Sequence, residues 1–194
     1  MSLGQGRYLV AGSKPWNRRI FDEVIVNYPG EWRYAGSVDE LSVDSVTEFD
    51  PSYVFFMHWS WKVPPELTEN YDCVAFHMTD LPYGRGGSPL QNLILRGHQF
   101  TKLCALKMSE TFDAGPVYLR EDLALDGSAE EIYKRANDLS AQMIQRIVSD
   151  DIEPVPQSGE PVIFRRRKPH ESELSGLQGL EATYDFIRML DAEG

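Results

Sequence analysis

The sequence is short of cysteines, of long apolar runs and of basic residues, and each shortage removes a class of protein. Its 194 residues contain two cysteines, Cys73 and Cys104, without CxxC spacing, so we expect neither a disulfide framework nor a metal site. No apolar run approaches the ~18 residues of a membrane span. The first residues also lack the basic and apolar regions of a secretory signal. We therefore expect a cytoplasmic protein with reduced thiols.

Acidic residues outnumber basic ones, with 30 Asp and Glu against 19 Lys and Arg and a formal net charge of −11. Proteins that neutralise many phosphates usually carry a basic excess. The charge therefore predicts a small-molecule substrate and argues against a nucleic-acid or membrane partner. A second copy of the chain, in a homodimer, is a further candidate partner.

Short apolar segments alternate with amphipathic ones, which predicts an α/β fold with a mostly parallel, Rossmann-like sheet flanked by helices. Apolar runs predict buried strands at residues 8–11, 53–57 and 73–77. Ser128 and Glu131 have capping-box spacing, and an apolar stripe follows them, so a long helix should begin there. The other expected elements are a helix from Pro15, a strand at 32–35, a helix or loop at 38–49, a loop at 81–89, a helix at 90–97, strands at 102–108 and 116–125, and a last helix at 184–190.

Three polar segments each follow a predicted strand, at residues 12–17, 58–61 and 77–87. Because ligands bind at the carboxyl ends of parallel strands, these loops should share one functional edge. His77 ends its strand and would place an imidazole there, and Asp113 stands in a turn before a later strand. Together they could move a proton and polarise a carbonyl group. Each alone has an ordinary explanation as a structural histidine or a turn-forming aspartate.

The run His77…Leu81-Pro82-x-x-Arg85-Gly86-x-x-Pro89 resembles the formyltransferase pattern H-x-S-L-L-P-x-x-R-G-x-x-P. Further along, Thr101…Met108 and Asp113-x-Gly115 are similar to its T-x-x-x-x-x-x-M…D-x-G segment. The resemblance covers roughly residues 50–170. It implies the formyltransferase fold and transfer of a formyl group from N10-formyltetrahydrofolate to an amine.

The resemblance also implies roles for residues of this chain. His77 would bond the formyl oxygen, and Asp113 would orient His77 or a water and help to take the amine proton. The loop after the second buried strand, with backbone groups around Asp113, would bind the folate; its residues are His58, Trp59, Ser60 and Trp61. The expected substrate-binding residues are Lys14, Thr79, Asp80, Arg85, Gly86, Arg166 and Arg167.

Several of these residues have a competing explanation. Asp80 could be a turn or cap carboxylate, and one of the two tryptophans, Trp59 or Trp61, could pack in the core. The basic run 165–168 could be a solvated strand end or an electropositive patch for a diphosphate.

One position departs from the family pattern. The family has Asn two residues before the histidine, and here that residue is Ala75, whose methyl group donates no hydrogen bond. Three alternatives follow: His58, Ser60 or Asn92 replaces the donor, a backbone N–H or a water does so, or the protein binds folate without fast transfer.

A segment near the C-terminus indicates which acceptor to expect. The segment Arg166-Arg167-Lys168-Pro169 resembles sugar-nucleotide formyltransferases, so we expect a nucleotide-linked aminodeoxysugar as acceptor, in surface-polysaccharide biosynthesis. A glycinamide ribonucleotide-type enzyme and a non-catalytic folate- or nucleotide-binding protein are the alternatives. We expect residues 1–150 to form the catalytic domain, with an extended segment and helix at 151–194 packed on it. Methionyl-tRNA enzymes of this family would add a tRNA-binding domain, and the resemblance suggests that relatives continue past residue 194.

Overall fold

The computed structural model describes residues 6–150 and 152–192 and has helices on both faces of a central sheet. The strands are β1 (Arg7–Gly12), β2 (Glu31–Ala35), β3 (Tyr53–Met57), β4 (Asp72–His77), β5 (Tyr83–Gly86), β6 (Phe100–Lys107), β7 (Val117–Ala124) and β8 (Val162–Phe164). The helices are α1 (Pro15–Glu23), α2 (Val43–Phe49), α3 (Pro65–Asn70), α4 (Pro89–Leu95), α5 (Ala129–Asp150) and α6 (Leu180–Arg188).

The main sheet has the order β2-β1-β3-β4-β6-β7. Its first four strands are parallel, while β6 runs antiparallel to β4 and β7 antiparallel to β6. The prediction of a mostly parallel α/β sheet flanked by helices is therefore confirmed. Since β1, β3 and β4 are neighbours, their carboxyl ends meet at one edge.

Alternate residues of β3 separate the two halves of the core. Phe55 and Met57 join the cluster that includes Ile144 of α5. Val54 and Phe56 join the opposite cluster, which includes Leu67 of α3. This alternation follows from strand geometry, in which successive side chains point to opposite faces.

The predicted capping box of α5 is confirmed. The Ser128 hydroxyl accepts a hydrogen bond from the Glu131 amide, and the Ser128 amide donates to the Glu131 carboxylate at 2.8 Å. The apolar face of the helix is then buried in the core, with Ile132, Met143 and Ile147 almost fully covered. None of the helices within residues 6–150 and 152–192 is long and apolar enough to cross a bilayer.

The prediction that residues 81–89 form only a loop is wrong, because β5 lies within them. This strand pairs in parallel with β8, whose residues come much later in the chain. A four-residue strand with two glycines has no apolar alternation, so its partner cannot be recognised locally. Gly86 has φ +106°, and a Cβ there would lie 2.4 Å from the Phe164 carbonyl oxygen, so this contact requires glycine.

The C-terminal segment packs on the same core as the sheet. Phe164 of β8 and the pair Phe186 and Met189 at the end of α6 belong to the cluster that contains Leu90 and Leu93 of α4. Gln91 strengthens this contact, since its side chain donates to the Met189 carbonyl oxygen at 3.1 Å.

Candidate functional site

The loops after β1 and β3 touch each other at the sheet edge, as the sequence predicts. The Ser13 hydroxyl donates to the backbone carbonyl of His58 and lies 3.1 Å from the Ser60 hydroxyl. The loop that follows β4 begins at His77 on the neighbouring strand. All three polar loops therefore lie along one edge.

His77 and Asp113 come together at this edge. Nδ1 of His77 lies 3.5 Å from Oδ1 of Asp113, and Nε2 lies 2.8 Å from the Gly84 carbonyl oxygen. The histidine is buried and the carboxylate is mostly covered, with 8% and 19% of their side chains exposed. Both ring nitrogens thus face oxygen acceptors, an arrangement in which a protonated imidazole can donate from each of them.

The Asp113 turn is held from several directions. Oδ2 of Asp113, the carboxylate oxygen farther from His77, accepts a hydrogen bond from the Gly86 amide at 2.9 Å. Asp113 itself has φ +56°, an uncommon conformation for a residue with a side chain. Gly115 lies so close to β6 that a Cβ would be 1.8 Å from the Lys107 carbonyl oxygen. The turn is therefore pressed against the sheet, and its carboxylate is directed at His77 and Gly86.

Gln157 also holds this turn, and sequence reasoning missed it. Its side-chain amide donates to the carbonyl oxygens of Asp113 and Gly115, at 2.8 Å each. Its side-chain oxygen accepts from Arg85 at 2.7 and 3.1 Å. The only sequence signal was the proline-rich, extended character of the segment, which does not point to one side chain.

Two tryptophans after β3 form an aromatic surface. The rings of Trp59 and Trp61 meet edge to face at 4.9 Å, and Trp59 also contacts Phe56 in the core. Trp61 is 46% exposed. The indole N–H of Trp59 is buried and has no hydrogen-bond partner within residues 6–150 and 152–192. One ring therefore packs on the core and the other faces solvent, and the buried donor can serve a polar ring edge.

His58 does not lie beside His77. Its Nδ1 is 3.2 Å from the Asn17 side-chain amide, and its ring contacts Trp16 and Tyr133. Tyr133 is on α5, so the His58 ring occupies the α1/α5 face of the sheet. Burial, with a smaller effect of the Lys14 charge, lowers the pKa of His58 to about 4. A neutral His58 accepts the Asn17 hydrogen bond and stays on that face.

Ala75 places a methyl group where the family pattern has Asn. It packs against a small apolar cluster that includes Leu81 and Leu106. Asn92 cannot replace the missing donor, because its amide nitrogen already donates to the carbonyl oxygens of Gly87, Ser88 and Arg165. His58 is held by Asn17, and Ser60 is bonded to Ser13.

The predicted substrate-binding residues of the β4 loop have different positions. Thr79 is fully buried and donates to the same Gly84 carbonyl oxygen as His77 does. Asp80 is paired with Arg120 of β7 at 3.5 Å, which agrees with the alternative of a structural turn carboxylate. Arg85 is bonded to Gln157, and Gly86 to Asp113. This loop therefore supports the His77 and Asp113 pair.

The basic cluster, residues 165–168, lies against the glycine turn that precedes α4. A Cβ on Gly87 would be 2.4 Å from the Cβ of Arg166. Arg165 is paired with Glu171 at 2.6 Å, and Arg167 donates to the Glu171 carbonyl oxygen. Arg166 is exposed, and in the described part of the chain it forms no hydrogen bond or ion pair. Its guanidinium is therefore free for a ligand.

Lys14, a predicted substrate-binding residue, and the two cysteines remain to be described. Lys14 lies at the start of α1 and is partly exposed. Both thiols are buried, which raises the pKa of Cys73 to about 12 and also raises that of Cys104. The described residues contain no group of three or more His, Cys, Asp or Glu side chains that could hold a metal ion.

The chain is similar to several known proteins of one family. A solved structure titled methionyl-tRNA formyltransferase from Clostridium thermocellum is 43% identical to this chain, with a TM-score of 0.91. The match covers 97% of this chain and 85% of the chain in that structure. Residues 169–194 match the family model described as "Methionyl-tRNA formyltransferase, C-terminal domain".

More distant relatives agree in fold. The methionyl-tRNA formyltransferase of Rickettsia felis is 25% identical over 86% of this chain and 56% of its own, so the chain spans about half the length of the curated relatives it matches. HypX from Aquifex aeolicus, solved with tetrahydrofolic acid, has a TM-score of 0.80 at 16% identity and covers 98% of this chain and 35% of its own. A protein from Mycobacterium tuberculosis titled a likely sugar N-formyltransferase has a TM-score of 0.72 at 15% identity and covers 95% of this chain and 87% of its own.

The structure brings His77 and Asp113 together at the edge of a mostly parallel sheet. With a solved relative 43% identical over most of both chains, this chain belongs to the formyltransferase family.

Proposed function

We propose that the protein transfers a formyl group from N10-formyltetrahydrofolate to a primary amine, with His77 and Asp113 as its catalytic residues. The observation that carries the proposal is the position of Asp113, which faces His77 across 3.5 Å and is fixed by the Gly86 amide. Catalytic hydrogen bonds are often long before substrate binds.

In the proposed reaction, the amine nitrogen bonds to the formyl carbon, and the bond between that carbon and N10 of the folate breaks. Asp113 accepts the proton that the amine loses. Nδ1 of His77 donates a hydrogen bond to the carbonyl oxygen, where negative charge develops. Asp113 then passes this proton to N10 as N10 leaves, so charge and atoms balance and the carboxylate is restored. The Gly86 amide keeps the Asp113 carboxylate in place throughout.

The folate would lie against the loop after β3. Trp59 offers a buried N–H without a partner within the described residues, and exposed Trp61 offers an aromatic face beside it. A flat, polar-edged ring system satisfies both features. His58, in contrast, would stabilise the loop from behind, because its ring is directed to α1 and α5.

For the acceptor, we propose a nucleotide-linked aminodeoxysugar of the kind used in surface polysaccharides. Arg166 supports this choice, since its backbone adjoins Gly87, one residue from the glycine that binds Asp113. The free guanidinium of Arg166 can pair with a diphosphate. The net charge of −11 also favours a small acceptor. Residues 1–150 would then form the catalytic domain, with 151–194 packed on it, in a cytoplasmic enzyme.

Methionyl-tRNA is the second candidate acceptor. It is favoured by the printed names of the Clostridium and Rickettsia relatives and by the family model matched at residues 169–194. A folate-binding protein without transferase activity is the third possibility, and Ala75 is the residue that favours it.

Turnover assays with separate acceptors test the proposal. The protein would be mixed with N10-formyltetrahydrofolate and either aminosugar nucleotides, methionyl-tRNA or glycinamide ribonucleotide, and tetrahydrofolate release and acceptor mass would be followed. We expect formylation of an aminosugar nucleotide, which the His77→Ala variant should not perform. Transfer only to methionyl-tRNA would contradict the proposed acceptor and support the proposed formyl transfer. Tight folate binding without transfer to any amine would contradict the proposed reaction.

A further inference from the structure

Gln157 links the segment after α5 to the catalytic turn. The segment is fixed on both sides of this residue. Before it, Val155 exchanges two backbone hydrogen bonds with Val117 at 2.8 and 2.9 Å. After it, β8 pairs with β5. The glutamine is therefore held in place by the backbone rather than by chance side-chain contact.

Every polar atom of the Gln157 side chain is used at the site. The amide nitrogen donates to the carbonyl oxygens of Asp113 and Gly115, and the oxygen accepts from two nitrogens of Arg85. Arg85 is in β5, next to Gly86, whose amide binds the Asp113 carboxylate. One side chain thus fixes both the backbone of Asp113 and the strand that holds its carboxylate.

The conformation of Asp113 explains why such a residue is needed. With φ +56°, Asp113 lies in the left-handed region, which is uncommon for residues with a side chain although Asp and Asn enter it more readily than others. The carbonyl oxygen of Asp113 is the group that Gln157 binds. Loss of this contact would let the turn relax and move the carboxylate away from His77.

We propose that Gln157 is a positioning residue, which holds the Asp113 carboxylate against the Gly86 amide and toward His77. It does not touch the reacting atoms and acts through Asp113. The catalytic part of this inference rests on the proposed formyl transfer, whereas the positioning part rests on geometry alone.

Two variants separate the groups of this side chain. Gln157→Glu keeps the size and the acceptor for Arg85 but loses both N–H donors, and it places a carboxylate oxygen next to two carbonyl oxygens. Gln157→Ala removes all the contacts. Gln142→Ala, at an exposed position on α5, is the matched control.

The first measurement is hydrogen exchange of the Gly86 amide by NMR, because this amide reports directly on the Asp113 carboxylate. Loss of the clamp should speed its exchange about tenfold or more, the effect expected of one or two hydrogen bonds, while the Phe55 amide in β3 stays protected. The second measurement is steady-state kinetics. A misplaced catalytic group should lower kcat by about 10- to 100-fold with little change in the KM for the folate. If Gln157→Ala does not fold, Gln157→Glu carries both measurements.

Unchanged protection of Gly86 in the variants would overturn the inference, whether or not the protein transfers formyl groups. Lost protection with an unchanged kcat would overturn its catalytic part. If the wild-type protein formylates no acceptor while the variants lose protection at Gly86, the proposed function fails and the positioning role of Gln157 is supported.

Discussion

His77 Nδ1 and Asp113 Oδ1 are 3.5 Å apart, slightly farther than a hydrogen bond, while each residue is fixed on its other side by a backbone group. The Gly84 carbonyl oxygen holds the imidazole, and the Gly86 amide holds the carboxylate. Both anchors come from β5, so the spacing of the two catalytic groups is set by one short strand.

Asp113→Asn should abolish most turnover and leave the folate site intact. The amide cannot accept the amine proton, so we expect kcat to fall by about 10²–10⁴-fold, while calorimetry shows a folate affinity close to that of the wild type. Asp39→Asn, at an exposed position, is the control. Loss of folate binding with turnover retained at saturation would contradict the assigned role.

Ala75→Asn should raise kcat, because it restores the donor that the family pattern carries. One oxyanion donor contributes about 10²–10³ in rate in other enzymes, so an increase of one to two orders of magnitude is the expected result. Ala75→Leu adds bulk without a donor and should not accelerate the reaction. An equal effect of both variants would show that packing, and not hydrogen bonding, matters at this position.

Arg166→Ala should weaken the binding of a nucleotide-linked acceptor. A charge-assisted hydrogen bond contributes about 1.5–3 kcal/mol, which predicts an increase of roughly 10- to 100-fold in the KM for the acceptor, with the KM for the folate unchanged. Arg165→Ala is the matched control, since it loses an exposed pair with Glu171 that is worth about 1 kcal/mol or less. Equal KM values for the two variants would exclude Arg166 as the phosphate ligand.

The pH dependence of stability should contain a contribution from His58. Its pKa is about 4 in the folded protein and about 6.5 when unfolded, so the unfolded chain binds more protons between these values. The contribution is fully present above pH 6.5 and is lost as the pH falls toward 4. Its size is at most about 3 kcal/mol.

Urea unfolding at several pH values measures this contribution. His58→Asn should flatten the loss of stability between pH 6.5 and 4, because it removes the imidazole that titrates. Asn is chosen because it tolerates the left-handed backbone of this position, φ +48°. His170→Asn, at an exposed site, should leave the slope unchanged. A slope that survives in His58→Asn would show that other groups dominate it.

Sequence reasoning succeeded where the information was local. The runs around Val10, Phe55 and Val74 are apolar because each strand is covered on both faces, and such runs identify parallel strands. Once β1, β3 and β4 are neighbours, the position of His77 at a strand end follows. The capping pair Ser128 and Glu131 lies three residues apart and can be read directly.

The information that sequence reasoning missed is non-local. β5 has no apolar pattern and exists because β8 pairs with it. The positive φ of His58 turns its ring to the α5 face, whereas simple alternation would have left it close to His77. The contacts of Gln157 and Asn92 join segments more than 40 residues apart. No periodicity or motif in the sequence indicates which of these distant segments contact each other.

The pairing of β5 with β8 has a consequence for how the protein is made. β5 and the Asp113 turn are synthesised before Gln157 and β8, so the catalytic pair precedes two of its anchors along the chain. Among the strands of the described residues, β8 comes last in the chain, and it pairs with the strand that contacts both catalytic groups. Maturation of the site is thereby tied to the synthesis of Gln157 and β8.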